Sequence, residues 1–247
     1  AKMNIFGKMK NAELLECMPI LSSSRDEVGG NAFDKELLRA AQKINKNVLK
    51  RFIDIILSLF LLLFFFSWIF PIVCLAILID TGFPVFFVQD RIGKNGKRFR
   101  FIKFRTMDKN VDENTFIPIQ VGDSRITRTG KFLRNSNIDE LPQFINILKG
   151  EMSLVGPRPV AIAFYQKYIG MLGEGFIRKR EIIKPGIIGL SQVLGYRGDF
   201  LDENENKVMI KARVKIDSLY ILRWSNWLDT KIVMATFRNM LQRIFGL

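Results

Sequence analysis

Asp139-Glu140 is followed by Leu-Pro-Gln, and Pro142 suits the first turn of a helix, so the two carboxylates are expected at a helix N-terminus. Taken alone, a capping aspartate with an acidic neighbour is the simpler reading. The chemical reading is that one carboxylate attacks phosphorus while the other holds a divalent cation. The helix end would then keep the aspartate ionised and favour a bound phosphate. In Gly156-Pro157-Arg158-Pro159 both prolines restrict their own φ and bias the residue before them toward extended geometry. Arg158 is therefore displayed from a stiff loop, as bidentate phosphate binding requires, although a rigid solvent-facing turn has the same sequence. Arg134 precedes the acidic pair by one and a half helical turns. Asp217, Tyr220 and Trp224 share one helix face by spacing, a pattern that also suits plain core packing.

The 247 residues contain no histidine, which excludes His triads, His zinc sites and His acid–base chemistry. Chemistry must rest on Asp, Glu, Lys, Arg, hydroxyls or an oxygen-held metal. A net charge of +14 points to nucleic acid, an anionic membrane face or phosphorylated substrates. No recognition-helix pattern, zinc spacing or aromatic RNA signature supports nucleic acid. Cys17 and Cys74 lie in dissimilar segments, so no disulfide framework is expected, in keeping with a cytosolic catalytic domain.

The elements that must position these groups begin with an uncharged run from Ile55 to Ile79, bounded by Asp54 and Asp80. It is long enough for a bilayer core of about 30 Å. Lys43, Lys46, Lys50 and Arg51 flank its start; Arg91, Lys94, Lys97, Arg98, Arg100, Lys103 and Arg105 follow its end. Basic residues on both sides place both ends on the cytoplasmic face, and Pro71 inside the run should break or bend the helix. A helix that enters and leaves by one face satisfies both facts; a kinked single span is the other reading.

Residues 1–32 read as a polar, weakly ordered arm, and residues 33–50 as a helix running into the apolar segment. Two strand-like runs flank Gly93-Lys94-Asn95-Gly96, a strong hairpin signal, and put Phe99, Phe101, Lys103 and Arg105 on one face. A solvated edge is the plain reading of Lys103 and Arg105. Residues 108–128 read as loop, 130–149 as helical with Gly150 as a stop, 160–180 as a helix, 184–200 as loop and 206–245 as mainly helical. The last stretch sets Leu228, Val233, Phe237, Met240, Leu241, Ile244 and Phe245 against Lys231, Arg238 and Arg243, which suits core packing or a helix lying on the membrane.

These pieces, in this order, resemble the bacterial sugar transferase family, the monotopic phosphoglycosyl transferases. The resemblance runs from about Lys50 to Thr236 through KRFID, RIGKNGKRF, KFRTM, LRNSNIDELPQFINILKGEMSLVGPRP, KPGIIGLSQVLG and DSLY…WSNWLDTKI. The long central block is highly specific; DE or GPRP alone would mean little. The resemblance implies a re-entrant helix broken at Pro71, Asp139 as nucleophile, and Glu140 as ligand of a Mg²⁺ cofactor. It also implies that Lys103, Arg105, Arg134, Arg158, Pro159 and Asp217 meet the substrates. Serine often precedes the proline in the family; here Phe70 does.

The expected fold class is α+β, mainly helical. An arm (1–32) and a helix leading into the re-entrant membrane helix (33–80) precede a cytosolic phosphoglycosyl transferase domain (81–247), which carries a β-hairpin and amphipathic interfacial helices. The chain resembles the minimal unit of the family, without further spanning helices. The expected reaction moves a sugar 1-phosphate from a UDP-sugar to polyprenyl (undecaprenyl) phosphate at the cytoplasmic leaflet of the bacterial inner membrane. It releases UMP through an aspartyl-phosphosugar intermediate, as the first membrane step of polysaccharide or glycoconjugate assembly. A phosphate monoester acceptor is already ionised near neutral pH, so the lack of histidine is compatible with this step. Nucleic acid is not an expected partner, and self-association is left open. The alternatives are a non-enzymatic membrane-surface module that binds anionic lipid or recruits a partner, and a membrane-tethered nucleic-acid binder.

Overall fold

Asn47 separates the first two helices of the computed structural model, which describes residues 31–108, 119 and 122–245. Its side chain accepts from Lys50 N at 2.6 Å and caps the second helix. Helix α1 is Asn31–Asn45, and α2 is the 34-residue Val48–Thr81. Of the arm expected over residues 1–32, residues 1–30 lie outside the described residues and Asn31 and Ala32 already belong to α1, which ends at Asn45 instead of running on into the apolar helix.

Helix α2 bends by 64° between Val48–Phe64 and Ser67–Thr81. Proline has no N–H for the carbonyl four residues back, and its ring crowds that turn, so a kink falls on the N-terminal side. Pro71 therefore bends the helix about one turn before itself. Among the described residues, no single helix is long and apolar enough to cross a membrane, and only the bent pair meets the length and composition required. One flank of each half packs inward. Leu61 and Leu62 meet Phe144 and Ile147, while Val73 and Ile77 meet Val85, Phe104 and Leu133. The other flank leaves Phe60, Leu63, Ile72, Leu75 and Ile79 exposed.

Strands β1 (Phe86–Ile92) and β2 (Arg98–Phe104) form the expected antiparallel hairpin, with Phe86 opposite Phe104 and Ile92 opposite Arg98. Asn95 and Gly96 both take positive φ, and Lys97 N donates back to the Lys94 carbonyl, as an Asn-Gly turn demands. The helical region 130–149 is two helices: α3 (Arg128–Ser136) and α4 (Gln143–Leu148). Buried Asn146 locks α4 to the hairpin edge by donating to the Arg100 carbonyl at 2.8 Å and accepting from Ile102 N at 3.3 Å.

The helix expected at 160–180 is broken by Gly173 into α5 (Ile162–Leu172) and α6 (Glu174–Arg178). The segment expected as loop at 184–200 contains β4 (Gly186–Ile188), which pairs in parallel with β3 (Ser153–Val155), and a short helix α7 (Leu190–Val193). Three-residue strands offer too little alternation for a pattern to show. Helices α8 (Glu203–Leu222) and α9 (Asn226–Phe245) complete the described chain. The largest apolar cluster joins Ile216, Tyr220 and Trp224 of this region to Leu37 and Ala41 of α1, so the predicted helical stripe is a core face.

Candidate active site

The acidic pair does not start an α-helix. Asn137 closes α3 in the left-handed region, at φ 55° and ψ 17°. Ile138–Glu140 then forms a single 3₁₀ turn, and α4 begins only after Pro142. The helix-end field expected to hold Asp139 ionised is thus not available from so short a turn. Asp139 is 8% exposed. Burial, then the charge of Glu140, push its carboxyl up to about 6, against the pull of Lys103, Arg134 and Arg158. Burial alone would also raise Glu140, but Arg158 outweighs it by charge and hydrogen bond, so Glu140 is held low. Arg158 Nη2 donates to Glu140 Oε1 at 2.5 Å. Two adjacent carboxylates driven in opposite directions are suited to different roles.

Lys103 places its ammonium 4.4 Å above the Phe87 ring on the Asp139 side of the hairpin. Arg134 Nε donates to Thr106 Oγ1 at 2.7 Å. Asp139, Glu140, Lys103, Arg134 and Arg158 therefore come together. Arg105 does not share a contact with them: it is buried, and its Nη2 donates to Thr81 Oγ1 and to the Gly82 carbonyl at the end of α2. Asp217 is 1% exposed and touches Arg180 at 2.8 Å and Ser191 Oγ at 2.9 Å. It stands behind the site rather than in it.

The Gly-Pro loop is as stiff as its sequence requires. A Cβ on Gly186 would lie 2.1 Å from Gly156 N, so the two loops touch backbone to backbone. Arg180 Nη2 donates to the Arg158 carbonyl at 2.8 Å, and Arg91 Nη1 to the Pro159 carbonyl at 3.1 Å. Arg158 and Pro159 open onto a cavity of about 620 Å³. Glu140, Arg91, Arg180, Arg197 and Arg213 line its polar side; Leu61, Phe144, Phe237 and Met240 line its apolar side. Burial, with the charges of Arg243 and Arg158, pushes Arg197 down to about 10. The sequence reading took Arg91 only as basic flank and missed Arg180, Arg197 and Arg213. The excess of positive charge was their only signal, because their spacing along the chain does not group them.

Among the described residues no group of three acidic, His or Cys side chains could hold a metal. Magnesium ordinarily takes one or two carboxylates, with phosphate oxygens and waters completing its shell. Glu140, held low beside Asp139, therefore fits as the protein's carboxylate donor for an ion that arrives with a phosphorylated substrate.

The bacterial sugar transferase family model matches residues 45–243, and the chain belongs to that family. It is 39% identical over 221 residues to a UDP-glucose:undecaprenyl-phosphate glucose-1-phosphate transferase of Klebsiella pneumoniae, covering 88% of this chain and 45% of the relative. It is 39% identical over 192 residues to the Caulobacter vibrioides protein of the same name, covering 78% and 69%. It is 41% identical over 164 residues to a UDP-N-acetylgalactosamine-undecaprenyl-phosphate N-acetylgalactosaminephosphotransferase of Aeromonas hydrophila, covering 66% and 37%. The chain thus spans less than half the length of the Klebsiella and Aeromonas relatives.

Proposed function

We propose that this protein transfers a sugar 1-phosphate from a UDP-sugar to undecaprenyl phosphate at a membrane face, releasing UMP. The observation that carries the reading is the arginine-lined cavity. Its lining includes Glu140 and Arg158 of the acidic turn and the Gly-Pro loop together with Leu61 of the bent apolar helix. A phosphorylated head group with a hydrocarbon tail fits that combination. The three relatives named above, two sugars among them, act on undecaprenyl phosphate by their names.

In the first step an Asp139 carboxylate oxygen attacks the phosphorus that bears the sugar, and the bond from that phosphorus to the UMP oxygen breaks. UMP leaves with the electron pair, and the sugar phosphate stays on Asp139. In the second step an oxygen of the acceptor phosphate attacks the same phosphorus and frees Asp139. Arg158 stays oriented by Glu140 and Arg180, and with Lys103 and Arg134 it meets charge building on the phosphoryl oxygens. Glu140 would hold Mg²⁺, which when bound offsets charge on the leaving phosphate. The family's re-entrant seating puts both ends of α2 on the cytoplasmic side and the exposed apolar flank in the leaflet. Neither step needs a general base, which agrees with a chain that lacks histidine.

The test is UMP release from a panel of UDP-glucose, UDP-galactose and UDP-N-acetylgalactosamine with undecaprenyl phosphate and Mg²⁺. Intact-protein mass after donor and Mg²⁺ alone should show one added phosphosugar, absent in Asp139→Asn. A preparation that turns over normally with acceptor, yet gives neither the adduct nor exchange of labelled UMP without it, would establish direct transfer instead.

A further inference from the structure

Lys50 and Arg51 read from the sequence as basic flank of an apolar helix, yet neither is left to lipid. Arg51 Nη1 donates to the Ile147 carbonyl at 2.7 Å and its Nη2 to the Leu148 carbonyl at 3.1 Å. These are the last carbonyls of α4; that of Ile147 also accepts from Gly150 N at 2.9 Å, so Arg51 grips a turn the backbone already closes. Asp54 is buried and accepts from Ser153 Oγ at 2.8 Å and from Leu154 N at 2.9 Å. Lys50 Nζ donates to the Val155 carbonyl at 3.0 Å and to Asp229 at 2.6 Å.

The two segments so gripped are the two that build the site. Helix α4 begins at Gln143, separated from the acidic turn by Leu141 and Pro142, and β3 runs straight into Gly156. Their ends meet in the Glu140–Arg158 contact of 2.5 Å. Three side chains within about one turn of α2 therefore fix both arms of the pair, one arm by its carbonyls and the other by its amide and strand edge. Salt-bridged surface lysines would not require a buried aspartate beside them, and a lipid anchor would not point at peptide carbonyls.

We propose that Lys50, Arg51 and Asp54 are positioning residues that set the reach between Glu140 and Arg158, making the first turn of the apolar helix part of the catalytic frame. The inference rests on the proposed transfer reaction only for its kinetic readout. Small misplacement of a charged group costs rate far more than it costs binding.

The experiment uses the full chain in detergent, with Arg51→Gln, Asp54→Ala, Arg158→Lys and the double variant Asp54→Ala/Arg158→Lys. Hydrogen exchange should rise at least tenfold in 143–151 for Arg51→Gln and in 153–159 for Asp54→Ala, with the remaining helices as protected as in the wild type. The turnover number should fall about tenfold in each while KM for the donor moves less than about twofold. Adding Asp54→Ala to Arg158→Lys should cost no more than twofold further. Unchanged exchange in both segments, a global rise in exchange in both variants, or a full tenfold further loss in the double variant would overturn the proposal. Should the wild type release no UMP from any donor, the proposed reaction fails. The segment-specific exchange then decides the positioning claim by itself.

Discussion

Arg180 Nη2 lies 2.8 Å from Asp217 Oδ2 and donates to the Arg158 carbonyl at 2.8 Å, so one buried nitrogen links an aspartate on α8 to the arginine of the Gly-Pro loop. Both side chains of the ion pair are almost fully covered. Removing one partner leaves an uncompensated buried charge, which costs about 3–5 kcal/mol. Asp217→Leu is expected to lower the melting temperature sharply. Asp217→Leu with Arg180→Met should recover most of that stability but little turnover, because the Arg158 carbonyl has lost its donor. Equal recovery of both quantities would show that the pair serves stability alone.

The raised Asp139 makes a prediction with a sign. Its carboxyl is pushed up to about 6 in the folded protein, above its ordinary value of 3.8. Folding therefore pays nothing for Asp139 below about pH 4 and carries the full penalty of ionising it above about 6. Without divalent cation, Asp139→Asn should be more stable than the wild type at pH 7.5, by on the order of 2 kcal/mol. The gain should shrink as the pH falls from 6 toward 4. Melting curves in EDTA across that range test it; a variant destabilised at pH 7.5 would refute it. Under transfer chemistry, kcat/KM should also fall below about pH 6, and the acid limb should move lower as Mg²⁺ is raised.

Two glycines should respond in opposite directions. Gly186→Ala puts a methyl 2.1 Å from the backbone nitrogen of Gly156, so β3 and β4 must part and Arg158 must move. We expect a loss of about 2 kcal/mol or more, with turnover lost. Gly170 lies in α5 with nothing within 4 Å of the added Cβ, and Gly170→Ala should stabilise by roughly 0.5–1 kcal/mol. Thermal denaturation of the two variants side by side is sufficient.

Topology is testable at two exposed lysines. Lys46→Cys and Lys97→Cys, each with Cys17 and Cys74 replaced, should react with an impermeant thiol reagent from the same side of inverted vesicles. Labelling from opposite sides would rule out the re-entrant seating. Pro71→Ala should reduce the 64° bend and shift some molecules toward a spanning orientation.

The legible parts of the fold were those with a local cause. The Asn95-Gly96 turn announced the hairpin, and Pro71 announced the bend although not the turn in which it falls. The acidic pair, Arg134, Lys103 and Arg158 were found because a continuous block carries most of them and because the resemblance named the rest. What stayed hidden was pairing at a distance. Arg180 meets Asp217 across 37 positions of sequence, a separation that no periodicity spans. The stripe itself pointed to core packing, and only the resemblance gave Asp217 a place among the substrate-binding residues; in the structure it is buried against Arg180 and Ser191. Arg105 shared a predicted face with Phe99 and Phe101, but the chain leaves the strand at Phe104 and turns its guanidinium toward Thr81.

The bend in α2 also bears on how such a protein shares space with lipid. A straight span displaces the same cross-section from both leaflets. A helix bent by 64° that entered and left by one face would displace area from one leaflet only, as a wedge does. In the proposed seating that asymmetry favours loosely packed or outwardly curved membrane. It also spares every basic flank residue a passage through the hydrocarbon, so the protein can seat itself from the side on which it is made.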